Sequence, residues 1–282
     1  MKRNLHNLLV LACIAVSCSA TWAGTIYGNN ATFGAPYVYV FDSGTGAITN
    51  TITNLSGDNG RGVVVVGDTL YYTTASTNSV FSYTLSTSTD NGALFTVTGS
   101  SALSTMAFDG TNFWIGDYSG TNHAYLYSPT GTLLNTISLA DCTGFCDGLE
   151  YFVDGGGNAR LISNEGDGET PGVYDVYDTS GNLITHDFIN TGRASGTGIA
   201  YDGTDFYVSN IYEGQISVYS NTGAFIRTES LTGFPGSDTP LVEDLSADYA
   251  LVLTGTPEPG TFAMLGAGLL GLLGAVKSRK RS

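Results

Sequence analysis

Lysine is missing from the whole stretch between Lys2 and Lys277, and histidine occurs three times in 282 residues, as His6, His123 and His186. Arginine is nearly as scarce. Over residues 24–256 only Arg61, Arg160, Arg193 and Arg227 stand against 24 acids, a formal charge of −20. Such a surface repels phosphate backbones and anionic headgroups, which excludes nucleic acid as a partner. There is no Gly-x-Ser-x-Gly elbow, no His-Glu-x-x-His pair and no phosphate-binding glycine loop. That excludes the hydrolase, zinc-protease and nucleotide machineries those motifs build. Cysteine is limited to Cys13 and Cys18 near the N-terminus and to Cys142 and Cys146. The latter pair has one intervening residue too many for a thioredoxin-like motif, and neither His123 nor His186 has zinc spacing to it. In an exported chain Cys142 and Cys146 form a candidate disulfide, whose small ring gives local stabilisation. Long apolar stripes of helical period are absent outside the two termini, which excludes a helical fold.

Glycine, aspartate and aromatics are plentiful, and they recur in register. Phe108-Asp109-Gly110-Thr111-Asn112-Phe113-Trp114-Ile115 matches Tyr201-Asp202-Gly203-Thr204-Asp205-Phe206-Tyr207-Val208. Weaker copies begin at Val66 and Phe152. An Asp-Gly turn between aromatic-rich alternating runs predicts a hairpin. A second hairpin follows in each unit, with turn glycines Gly46, Gly92, Gly131, Gly181 and Gly223 at steps of 39 to 50 residues. Two hairpins per unit make four strands, which at that period predicts an all-β fold, a β-propeller of four-stranded blades. Thr25 to Ile52 matches only the later strands of a blade and Leu241 to Leu253 only the early part. Together they complete one blade, giving five; six follow if the long fourth unit or the region before Tyr37 hides further strands. The frequent tyrosines and phenylalanines are assigned to packing between blades, with Trp114 and Tyr118 as candidates for a sugar-binding face.

Propeller chemistry gathers at the central channel. Aligning the repeats starts the innermost strands near Arg61, Ser104, Asp147, Thr197 and Glu243. The candidate channel groups are therefore Arg61, Thr105, Asp147, Glu150, Arg193, Glu243 and Asp244. Asp147, Glu150, Glu243 and Asp244 form a candidate site for a divalent cation such as calcium, which takes oxygen ligands. Their other reading is structural: they accept inner-strand N–H groups or pair with Arg61 and Arg193. A second acidic group, Asn164-Glu165-Gly166-Asp167-Gly168-Glu169, has alternating oxygen ligands without EF-hand spacing. His123 and His186 are read as exposed loop or strand residues.

The two ends carry address signals. Lys2 and Arg3 precede an apolar stretch from Leu8 to Val16, and Thr21-Trp22-Ala23 supplies small residues at a cleavage site. Residues 1–23 therefore read as a secretory signal peptide. A lipoprotein reading at Cys13 would leave an apolar core of only five residues, Leu8 to Ala12. At the other end, Pro257-Glu258-Pro259 is followed by an apolar run to Val276 and by Lys277-Ser278-Arg279-Lys280-Arg281-Ser282. As a helix, the uncharged segment 262–276 would span roughly 22 Å, against a bilayer core of about 30 Å. The basic end should stay cytoplasmic, leaving residues 24–256 on the far side.

This terminal order resembles the PEP-CTERM sorting signal of exported bacterial proteins. The resemblance implies recognition by an exosortase-type membrane protease through Pro257, Glu258 and Pro259, with residues 257–282 as the processed signal and 262–276 as a transient or retained membrane anchor. The repeats resemble secreted propellers of the NHL or lactonase-like kind, and that resemblance makes Glu150 and Asp244 the metal ligands of a hydrolase. Two functions are thus expected: a non-catalytic binding or structural protein of the cell surface or extracellular polysaccharide matrix, or a metal-dependent lactonase-like enzyme. The first is preferred, because the catalytic sets are absent.

Overall fold

Asp109 and Asp202 turn the chain in the same way. In each turn one carboxylate oxygen accepts two backbone N–H groups, from Thr111 and Asn112 at 2.9 and 2.7 Å and from Thr204 and Asp205 at 2.8 Å each. Asp154 and Asp178 close their own turns likewise, onto Gly156 and Asn158 and onto Ser180 and Asn182. An aspartate that satisfies the N–H groups of a tight turn fixes its geometry. Much of the acidic charge of this chain is therefore turn chemistry.

A computed structural model of the chain describes residues 24–34, 36–142, 146–165, 172–194, 196–234 and 241–254. Three strands come first: β1 (Thr25–Asn30), β2 (Val38–Asp42) and β3 (Ile48–Ile52). Blade 1 holds β4 (Gly60–Val66), β5 (Thr69–Thr74), β6 (Ser79–Thr84) and β7 (Thr89–Thr96). Blade 2 holds β8 (Leu103–Phe108), β9 (Phe113–Asp117), β10 (His123–Tyr127) and β11 (Leu133–Ser138). Blade 3 holds β12 (Leu149–Val153), β13 (Ala159–Asn164), β14 (Val173–Tyr177) and β15 (Leu183–Asn190). Blade 4 holds β16 (Gly196–Tyr201), β17 (Asp205–Asn210), β18 (Gln215–Ser220) and β19 (Phe225–Ser230). The last strand, β20 (Val242–Ser246), pairs antiparallel with β1, Tyr27 opposite Ser246, and becomes the inner strand of blade 5. The fold is all-β, a propeller of five four-stranded blades closed by joining the two ends of the domain. That closure completes the fifth blade from both ends of the domain, and the short inner edges face one another inside the ring, sheltered from edge-to-edge association.

Five separate apolar cores lie between successive blades. Phe152, Ile162 and Tyr174 of blade 3, for example, pack with Ile199, Phe206 and Tyr219 of blade 4. Phe152 and Phe206 meet edge to face at 5.1 Å, and Tyr72 and Phe81 of blade 1 stack at 5.2 Å. Pairs of this kind add about 0.5–1.5 kcal/mol beyond their buried area. Trp114 is among the buried residues between blades 2 and 3, so it serves packing rather than an exposed face.

Four of the second-hairpin glycines, Gly46, Gly131, Gly181 and Gly223, have an inter-blade role; Gly92 meets nothing within 4 Å. At Gly223, φ is +78° and an added Cβ would lie 2.0 Å from the Phe188 carbonyl oxygen of the preceding blade; at Gly181 the corresponding oxygen is that of Ser138, 2.2 Å away. The repeat is thus set by left-handed turns that press against the neighbouring outer strand.

One helix was not expected within the domain. α1 (Tyr249–Thr254) follows β20, and Asp248 starts it by accepting the Ala250 N–H at 2.9 Å. The same carboxylate oxygen accepts Gly67 N–H at 2.8 Å, fastening α1 to the end of β4. Among the described residues no helix is long and apolar enough to cross a membrane. The expected signal peptide, the sorting triplet and the apolar segment 262–276 lie outside the described residues.

Candidate functional site at the channel mouth

Side chains alternate between opposite faces of a strand, which separates the four channel acids that the sequence places together. Asp147 and Glu243 belong to the mouth. Glu243 pairs with the Arg61 guanidinium, whose Cζ also lies 4.9 Å from the centroid of the Tyr118 ring. Asp147 accepts a hydrogen bond from the Asn164 amide nitrogen, while Asn164 Oδ1 accepts Gly148 N–H at 3.1 Å. Arg61, Tyr118, Asp147 and Glu243, with Asn59, Thr197 and Tyr212, line an open cavity of about 170 Å³. Tyr212 is 66% exposed at this cavity. Two aromatic rings, a guanidinium and two carboxylates on one small cavity suit a polyhydroxylated ligand, which needs both a flat apolar face and directional hydrogen bonds.

Glu150 and Asp244 sit deeper, both essentially without solvent exposure. Asp244 Oδ2 accepts the N–H groups of Val63 in β4 at 3.0 Å and of Met106 in β8 at 3.1 Å, so one carboxylate joins three inner strands. Glu150 Oε2 accepts Tyr201 N–H of β16 at 3.1 Å, and its Oε1 accepts Tyr151 N–H at 2.6 Å and the Tyr249 hydroxyl of α1. Burial pushes the Glu150 carboxyl up to about 8 and the Asp244 carboxyl well above the usual carboxylate range, with hydrogen bonds offsetting part of that effect. Thr105 works in the same layer, its hydroxyl accepting Leu149 N–H at 3.1 Å.

Other residues singled out from the sequence go elsewhere. Arg193 donates to Glu213 and to Gln215 Oε1, the latter at 2.9 Å. Cys142 and Cys146 are joined in a disulfide. Of the acidic run 164–169, residues 166–169 lie outside the described residues and Glu165 faces His186. His186 is exposed on β15, yet it gathers carboxylates from three other segments besides that of its neighbour Asp187. Sequence reasoning missed that grouping, because hairpin pairing brings Asp175 to it. A larger cavity of about 290 Å³ between blades 5 and 1 is lined by Tyr27, Asn50, Asn54 and Tyr83 among others, and among the described residues no charged side chain lines it.

Comparison with known proteins separates the fold from the address. Residues 256–280 match the PEP-CTERM protein-sorting motif. No curated protein matches the chain. Among solved structures, a chain of the nidogen/laminin complex is similar at a TM-score of 0.54 and 10% identity, over 80% of this chain and 98% of that one. Glutaminyl cyclase of Myxococcus xanthus gives a TM-score of 0.47 at 12% identity, over 84% of this chain and 82% of that one. At 10% identity the nidogen/laminin likeness shows the fold alone; at a TM-score below 0.5 the cyclase likeness carries no argument. The chain is a five-bladed β-propeller bearing a PEP-CTERM sorting motif, which marks it for export and for processing by an exosortase.

Proposed function

We propose that the exported propeller is a non-catalytic binding protein of the cell envelope, and that its channel mouth takes a sugar unit of extracellular polysaccharide. On this reading residues 1–23 are removed on export, residues 24–256 form the working domain, and residues 257–282 hold it at the membrane until the exosortase acts. The observation that carries the reading is the division of labour among the channel acids. Glu150 and Asp244 are engaged by backbone N–H groups of the inner strands, while Tyr118, Tyr212, Arg61, Asp147 and Glu243 line an open cavity. The domain leaves β20 at the end opposite this cavity, because Glu243 lines the mouth and α1 packs on the far end of β4. A propeller held by its C-terminal tail therefore presents the mouth away from the membrane.

The test is calorimetric titration with oligosaccharides released from the extracellular polysaccharide of the source cells. Tyr212→Ala and Tyr118→Ala should each weaken binding by about tenfold or more, the size of one lost aromatic stacking contact. Absence of binding to every fraction, or binding that neither variant weakens, would remove the mouth as the site. The metal-dependent, lactonase-like alternative would use Glu150 and Asp244 as ligands, and burial works against it by holding the Glu150 carboxyl up at about 8 and raising Asp244. It requires hydrolysis that Glu150→Gln abolishes in a variant that still folds.

A further inference from the structure

Blade 3 gathers a second set of side chains well suited to an ion. Glu165 follows β13, Asp175 lies on β14, and His186 and Asp187 are neighbours on β15. Each offers one ligand atom, and those atoms all lie within 4.8 Å of one another. His186 Nδ1 is 2.9 Å from Asp187 Oδ1 and 3.9 Å from Asp175 Oδ1, and Nε2 is 3.7 Å from Glu165 Oε1. Asp141, next to the Cys142–Cys146 disulfide, comes within 3.3 Å of Nε2 from the connection between blades 2 and 3. Ligands at about 2.0–2.2 Å from a zinc ion stand roughly 3–4 Å apart, so the set, gathered within 4.8 Å, needs only a small contraction to close on one ion.

Charge argues in the same direction. Four carboxylates surround one imidazole, an excess of acidic groups whose ionised forms a bound cation would stabilise. The four arginines of the domain pair elsewhere: Arg61 with Glu243, Arg160 with Asp154, Arg193 with Glu213 and Arg227 with Glu229. Asp175 is fully buried, so its charge lacks the solvent screening that an exposed acidic patch enjoys. The set is also not an all-oxygen one. An imidazole among carboxylates suits a borderline transition ion better than calcium or magnesium.

We propose that Glu165, Asp175, His186 and Asp187 form a site for a divalent transition-metal ion such as Zn(II), which fastens the β14–β15 hairpin to Glu165 at the end of β13. The site lies outside the channel and contains none of the mouth residues, so it stands or falls independently of sugar binding.

The test uses the full-length chain purified in detergent, stripped with chelator and titrated with ZnCl₂ and, in parallel, with CaCl₂. One zinc per chain is expected, with calcium at least tenfold weaker. A 100-fold excess of zinc over its Kd should raise the melting temperature by roughly 5–10 °C. His186→Gln and Asp187→Asn should each weaken zinc at least tenfold. Both positions are exposed, and asparagine tolerates the positive φ of +52° at Asp187, so both variants should fold. Glu213→Gln, an exposed acid on blade 4, should bind zinc like the parent. The proposal is overturned by a folded chain without stoichiometric zinc, by calcium binding as tightly as zinc, or by zinc binding that survives both ligand substitutions.

Discussion

Gly198→Ala is expected to lower the melting temperature by roughly 6–12 °C, among the largest effects of any single methyl group in this protein. Gly198 lies in β16, where the inner strand of blade 4 passes the inner strand of blade 5. A Cβ there would stand 2.5 Å from the Asp244 Cα, 2.7 Å from the Glu243 carbonyl oxygen and 2.8 Å from the Asp244 carbonyl carbon. All three are backbone atoms, so no side-chain rotation relieves the contact. The inner strands of a closed ring can move apart only by disturbing every interface around it, which puts the cost at about 3 kcal/mol or more. The same movement would pull Asp244 from the Val63 and Met106 N–H groups that it accepts. Gly155→Ala is the matched control: nothing lies within 4 Å of its added Cβ and its φ is not positive. Thermal melting of the two variants checks the argument. Equal stabilities would mean that the ring is not packed backbone to backbone at β16.

The ring was legible in the sequence because each blade repeats one instruction. Asp109-Gly110 and Asp202-Gly203 specify the first turn, Gly181 and Gly223 the second, and alternation fills the five interfaces with aromatics. Closure was legible too, since Leu241–Leu253 lacks the later strands that Thr25–Ile52 supplies. α1 was harder. Six residues are too few to show helical periodicity, and Tyr249 reads equally well as a strand aromatic; the usable signal was Asp248 as a helix N-cap. Within the channel, the sequence identified the acids but not their depth. Glu243 and Asp244 are adjacent in the chain, yet pleating sends one to Arg61 at the mouth and the other among the inner strands. The blade 3 group was hidden for a different reason. Asp175 and His186 are brought together by register irregularities in the β14–β15 pairing, which composition does not encode.

Stability is expected to fall as pH rises from about 5 to about 8, the reverse of the usual behaviour of a carboxylate-rich protein. Glu150 holds its proton in the folded state up to about 8, whereas its ordinary value is 4.5. Between those two values the folded chain binds one proton more than the unfolded chain, so raising the pH favours unfolding. For a fully buried group the effect is on the order of 4 kcal/mol across the window, about 1.4 kcal/mol per pH unit. Asp244, raised by the same burial, acts in the same direction, as does His186, whose pKa is lifted first by Asp175. Asp117, Asp154 and Asp178 oppose the trend only in acid, because hydrogen bonds hold them below the usual 3.8 and their contribution is lost as pH falls through those lowered values. The optimum should therefore lie near pH 4–5. Glu150→Gln removes the titrating proton: its amide can donate to the Tyr249 oxygen while its carbonyl accepts Tyr201 N–H, at the loss of the hydrogen bond from Tyr151 N–H. That variant should fold, and melting against pH at fixed ionic strength should lose about one proton of slope. Glu150→Ala leaves the Tyr201 N–H and the Tyr249 hydroxyl buried without their acceptor, and should cost about 3 kcal/mol or more at every pH. A melting temperature that rises from pH 5 to 8, or a slope unchanged in Glu150→Gln, would mean that Glu150 is ionised in the fold and that something other than inner-strand N–H groups balances its charge.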